Sequence, residues 1–87
     1  MARIIDGETM NMVGKKVRFL RKNRKMSQQQ VSDKLETMAI YICRGSISRI
    51  EDGQRTVSDI ELFGLSKVFN VSISELYNDE FQVDINF

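Results

Sequence analysis

Apolar residues in this chain recur mostly at spacings of three and four, the period of a helix that packs along one face. Met12, Val13, Val17 and Leu20, with Arg24 a turn further on, keep that spacing, while Lys15, Lys16, Arg18, Lys22 and Lys25 occupy the other faces. This predicts a first helix over roughly residues 10–24. Three serines are each followed three residues later by Gln or Glu: Ser27 by Gln30, Ser58 by Glu61 and Ser72 by Glu75. In that arrangement the hydroxyl accepts from an amide of the first turn and the longer side chain accepts from the serine's own amide, so each pair marks a helix start.

The second helix therefore runs from Ser27 through Val31 and Leu35 to about Met38. The fourth runs from Ser58 to Asn70 with a wide apolar stripe of Ile60, Leu62, Phe63, Leu65, Val68 and Phe69, and Ser72 opens a short fifth with Ile73, Leu76 and Tyr77. A third is read backwards from Gly53, suited to the left-handed position that ends a helix, through Ile50 and Ile47 to a start between Cys43 and Gly45. The last seven residues, Phe81 to Phe87, alternate apolar and polar with the period of a strand. That alternation suits a frayed tail, a tail packed on the core or a pairing element for a second copy alike.

Length and composition narrow the class. The 87 residues give room for one domain, which buries about 60% of its unfolded surface. The expected organisation is all-α, with a flexible N-terminal arm over 1–9, a domain over 10–79 and a C-terminal tail over 80–87 as a candidate dimer contact. Apolar runs are too short for a membrane span and the N-terminus has no stretch of signal-peptide length, so a cytoplasmic protein is expected. Cys43 is the single cysteine and is expected as a small buried apolar residue. With no histidine, a zinc site would need mainly carboxylates, so no metal is expected. No nucleophile motif, phosphate-cradling glycine loop or paired metal-binding carboxylates occur, which argues against an enzyme and calls for no cofactor or small-molecule ligand.

A net charge of +1 hides a division. Twelve of the thirteen lysines and arginines lie in residues 1–55 against six carboxylates, leaving that stretch at +6, while residues 56–87 hold Lys67 against the other six, at −5. So polarised a chain suits a polyanion on one side and a far side that avoids it; a solvated charged helix with an acidic tail gives the same balance.

Four pieces in order resemble the phage-repressor and Cro-like family of helix-turn-helix domains, the xenobiotic-response-element family. They are Leu20-Arg21-Lys22, Met26 to Val31, Gly45-Ser-Ile-Ser-Arg-Ile-Glu-Asp-Gly53, and Phe69 to Leu76. The resemblance covers about Val13 to Tyr77 and implies a five-helix lambda-repressor-like domain. One departure is a lengthened turn between helices 2 and 3, where Glu36 to Arg44 spends about five more residues than the family's tight turn. Those residues either extend helix 2 or enlarge the loop, with Ile40, Tyr41 and Ile42 expected against the core.

The resemblance implies a transcriptional regulator, a repressor by preference, that binds double-stranded DNA as a homodimer at an inverted repeat. It places Arg44, Ser46 and Arg49 toward base edges with Ser48 beside them, and an arginine can bond both O6 and N7 of guanine. Gly45 would permit close backbone approach. Gln28, at the start of helix 2, falls where the family grips a phosphate, and Arg55 and Thr56 match a loop that touches the backbone. Lys15, Lys22 and Lys25 would add to the electrostatic footprint, and Arg21 and Glu51 correspond to a partly buried ion pair. The competing reading is a protein-interaction module on the same scaffold, such as an antitoxin or regulator partner, using an aromatic tail with Phe81 and Phe87.

Overall fold

The computed structural model describes residues 9–77. The arm expected over 1–9, Thr9 apart, and the tail expected over 80–87 lie outside the described residues. Four α-helices follow one another: α1 (Gly14–Asn23), α2 (Gln28–Glu36), α3 (Arg44–Glu51) and α4 (Asp59–Phe69). A 3-10 turn spans Ile73–Leu76, and no strand occurs among the described residues.

Two of the three serine caps form as the spacing predicts. Ser27 Oγ accepts from Gln30 N at 3.0 Å while Gln30 Oε1 accepts from Ser27 N at 2.7 Å. Ser58 Oγ accepts from Glu61 N at 3.2 Å while Glu61 Oε1 accepts from Ser58 N at 2.9 Å. The third does not form: the Ser72 hydroxyl meets the side chains of Ser74 and Glu75 and no first-turn amide. The expected fifth helix is correspondingly one 3-10 turn. It buries Leu76 alone of its four residues, too little to repay the cost of nucleating a helix.

α1 begins four residues later than its apolar spacing suggests. Asn11 is the cause: its Oδ1 accepts from Val13 N at 3.0 Å and Gly14 N at 2.7 Å, while its Nδ2 donates to Ile50 O at 3.0 Å and Arg55 O at 2.8 Å. One buried amide thus starts α1 and ties it to the end of α3. Gly14 makes the same junction sterically necessary, because a Cβ there would lie 2.1 Å from Ile50 O. α2 ends at Glu36, short of Met38, and Ala39 takes a left-handed φ of 59° so that Ile40 N donates back to Leu35 O at 3.0 Å.

The extra residues therefore enlarge the loop over 37–43 and do not lengthen α2. Ile40 and Ile42 turn into the core as expected, but Tyr41 between them is 76% exposed. Extended backbone sends alternate side chains to opposite sides, so with Ile40 and Ile42 both buried, Tyr41 has only solvent to face. α3 ends at Glu51, and Gly53 just beyond it takes a φ of 72° that lets Gln54 N return to Arg49 O at 2.8 Å.

The core joins Val13, Val17 and Leu20 of α1 and its cap, Val31 and Leu35 of α2, Ile40 and Ile42 of the loop, Ile47 and Ile50 of α3, Leu65 and Phe69 of α4, and Leu76. α2 packs on α3, α1 on α3, and α4 on α1, α2 and the 3-10 turn. The α4 stripe is narrower than its sequence suggests, since Ile60 and Phe63 remain 65% and 50% exposed. No helix among the described residues is long and apolar enough to cross a membrane.

Candidate nucleic-acid interface

α3 holds itself in place by one face and presents the other. Ile47, Ile50 and Glu51 are buried, whereas Arg44, Gly45 and Arg49 are exposed and Ser46 and Ser48 are half-buried on the flanks. Gly45 and Arg49 stand one turn apart on the outward side, and Arg49 Nη2 donates to Ser46 Oγ at 2.9 Å. The Cys43 thiol lies 3.4 Å from the same hydroxyl. Contrary to expectation Cys43 is exposed, because it precedes the first turn of α3 in extended backbone while its neighbour Ile42 turns into the core. Hydrogen bonds with the Ser46 hydroxyl and backbone hold its thiol below the usual range, against a smaller opposing effect of burial.

Behind this face Glu51 gathers three elements. It is 2% exposed and accepts from Arg21 Nε at 2.6 Å, Arg21 Nη2 at 3.0 Å, Arg18 Nε at 3.3 Å and Gln28 Nε2 at 3.1 Å. Arg18 also pairs with Asp52, and Arg21 Nη1 donates to Met26 O at 2.9 Å. Burial pushes the Glu51 carboxyl up, but the bonds from Arg21, Gln28 and Arg18 outweigh it and hold the group below the ordinary carboxylate range. The carboxylate is thus charged, fully hydrogen-bonded and shared by α1, α2 and α3.

The remaining expected contacts are dispersed. The Gln28 side chain turns inward to Glu51, so what α2 offers outward at this position is its first-turn backbone. Arg55 is clasped by Glu61 through two bonds of 3.0 and 2.8 Å and also donates to Thr56 O at 2.9 Å. That clasp lowers the Glu61 carboxyl below its usual range, with burial opposing. Thr56 is exposed, as are Lys15, Lys22 and Lys25, Lys22 in the last turn of α1 and Lys25 between the end of α1 and the start of α2.

Sequence spacing missed Asn11, Arg18 and Ser32. Arg18 lies three residues before Arg21 on one helix, a spacing that shares a face and could have flagged it. Ser32 Oγ donates to Ile42 O at 2.7 Å and pins the enlarged loop to α2. No local pattern announces that bond.

The order of elements, the buried carboxylate at the end of α3 and the polar outward face of that helix define a helix-turn-helix unit. Residues 17–76 match the model of the helix-turn-helix family, and the chain belongs to that family, as the phage-repressor and Cro-like resemblance implied. Over 65 residues it is 37% identical to the competence pilus inhibition repressor of Acinetobacter baylyi, a match covering 75% of this chain and 54% of that protein. The chain thus spans about half the length of that curated relative. The crystal structure of the restriction-modification controller protein C.AhdI from Aeromonas hydrophila shares its fold, with a TM-score of 0.67 at 24% identity over 76% of this chain and 92% of that one.

Proposed function

We propose that this chain is a DNA-binding transcriptional regulator, a repressor, which reads the major groove of an inverted-repeat operator with α3 as a homodimer. The observation that carries this reading is how the arginines divide. Arg18, Arg21 and Arg55 are each held by a carboxylate and Arg24 lies over the Phe69 ring, whereas Arg44 and Arg49 on the exposed side of α3 have no carboxylate partner among the described residues. Two guanidiniums free of carboxylates, about 1.4 turns apart on one helix, suit the acceptor edges of guanines. The names of the two proteins it resembles, a repressor and a controller, support a regulatory role.

In this reading residues 10–79 form the DNA-binding unit, with Arg44, Ser46, Ser48 and Arg49 toward bases. The α2 N-terminus at Gln28, together with Thr56, Lys22 and Lys25, lies toward phosphates. Arg55 reaches a phosphate only by releasing Glu61. A single short reading helix covers too few base pairs to specify a site, which is the argument for a two-fold dimer. The tail residues Phe81 and Phe87, on which an interaction module would draw, lie outside the described residues.

The test is a random-library selection on the purified chain, followed by anisotropy titrations at rising salt. A palindromic site should emerge, binding should weaken steeply with salt, and Arg49→Ala should relax base preference at one position in each half-site. Salt-insensitive binding, or none, rejects the regulator in favour of the interaction module.

A further inference from the structure

The loop over 37–43 does more than connect α2 to α3. Ile40 and Ile42 are buried, Ser32 Oγ bonds Ile42 O at 2.7 Å, and Ala39 closes the end of α2 in a left-handed conformation. Tyr41 is therefore held from both sides, yet at 76% it is the most exposed large apolar side chain among the described residues. It lines a cleft of about 390 Å³ whose other walls are Ser32 and Glu36 of α2, Ile42, and Cys43 and Ser46 at the start of α3. The cleft thus opens beside the first turn of the helix assigned to the groove, and Ser46 belongs to both surfaces.

We propose that Tyr41 is a further specificity-determining residue of this chain, its ring packing on the C5-methyl group of a thymine next to the base pairs that α3 faces. The inference rests on the reading of α3 as the groove-facing helix. Three features favour a base edge over the sugar-phosphate backbone. The cleft is continuous with the outward face of α3 at Ser46. Its lining includes the apolar residue Ile42. Its wall includes the Glu36 carboxylate, which repels a phosphate. The thymine methyl is the one apolar group that the major groove displays, and an aromatic side chain is a suitable partner for it. Since the loop already holds the Tyr41 backbone, contact costs side-chain freedom but no further ordering of the loop.

The experiment uses the full chain and the duplex recovered from the random library. Each thymine of the operator is replaced in turn by deoxyuridine, which removes only the methyl, and affinity is measured for the wild-type chain, Tyr41→Ala and Arg49→Ala. The expected result is one flanking thymine per half-site at which deoxyuridine costs the wild type about fourfold, the worth of one buried methyl group. It should cost Tyr41→Ala nothing and leave the effect intact in Arg49→Ala. Thermal unfolding of Tyr41→Ala should match the wild type, since the side chain packs on little. If Tyr41→Ala binds as the wild type does, or responds to every deoxyuridine identically, Tyr41 is no reader, while loss of base preference in Arg49→Ala would leave the α3 reading standing. Absence of DNA binding by the wild-type chain would overturn both.

Discussion

Gly45 lies in the first turn of α3 with ordinary helical backbone, and a methyl group added there would meet only Arg49 Nη1, at 3.9 Å. Nothing in the fold requires a glycine at this position, in contrast to Gly14 and Gly53. Glycine inside a helix is about 0.5–1 kcal/mol less stable than alanine, so Gly45→Ala should raise the thermal midpoint by a few degrees, on the order of 4 °C for a domain this size. If the backbone of α3 approaches the duplex closely here, the same substitution should weaken DNA binding. Stability and affinity would then move in opposite directions, measured by thermal unfolding and by anisotropy on one sample. Unchanged affinity in the stabilised variant would show that the glycine is incidental to recognition. Cys43 offers a second probe of the same face. Its exposed thiol, held below the usual range by Ser46, should react readily with iodoacetamide, and bound duplex should slow that reaction. Equal rates with and without DNA would place Cys43 outside the interface.

At the scale of elements, the fold depends on a few long-range polar bonds that fasten α1, α2 and α3 together around Glu51. Removing the charge with Glu51→Gln leaves Arg21 facing an amide in a nearly closed site, at a cost of about 3 kcal/mol. The acid dependence has a definite sign. The Glu51 and Glu61 carboxyls are both held below the ordinary range, so their stabilisation is complete above the unfolded value of about 4.3 and is lost as pH falls through the lower folded values. Wild-type thermal midpoints should therefore drop below about pH 4.5, and Glu51→Gln, already less stable at pH 7, should drop less. Parallel profiles for the two proteins would remove Glu51 as a source of the acid sensitivity. These bonds also explain what could and could not be read from the chain. Ser27, Ser58, Gly53 and the Ile47–Ile50 face were legible because cap, stop and packing face are each decided within a few residues. The start of α1 was not, since Asn11 is satisfied by carbonyls at Ile50 and Arg55. The outward placement of Tyr41 and Cys43, the inward turn of Gln28 and the clasp of Arg55 by Glu61 likewise depend on partners in other elements. The placing of Ser46 and Arg49 on α3 away from its buried face followed from a local motif; which arginines lack a carboxylate was legible only in three dimensions.

For the whole molecule, the proposed reading by α3 requires that one short helix become selective, and the exposed side of α4 bears on it. Ile60 and Phe63 stand on the side of α4 turned away from Leu65 and Phe69, and Lys67 Nζ lies 5.4 Å from the centre of the Phe63 ring. α4 packs on α1, α2 and the 3-10 turn, so a second copy docked on its open side need not cover the outward face of α3. A homodimer built there would bury the part of two large apolar side chains per chain that the single molecule leaves wet, each worth about 1–2 kcal/mol, since Ile60 and Phe63 are already partly covered. Phe63→Asp should then keep the fold, because half of that side chain already faces water, and should shift sedimentation equilibrium from dimer to monomer. It should also abolish the advantage of an inverted repeat over an isolated half-site while leaving half-site affinity and the Arg49-dependent base preference unchanged. A variant that still sediments as a dimer would move the contact elsewhere on the chain. A wild type that is monomeric and favours no repeat would leave each α3 reading alone, with only the loop beside it to widen the site.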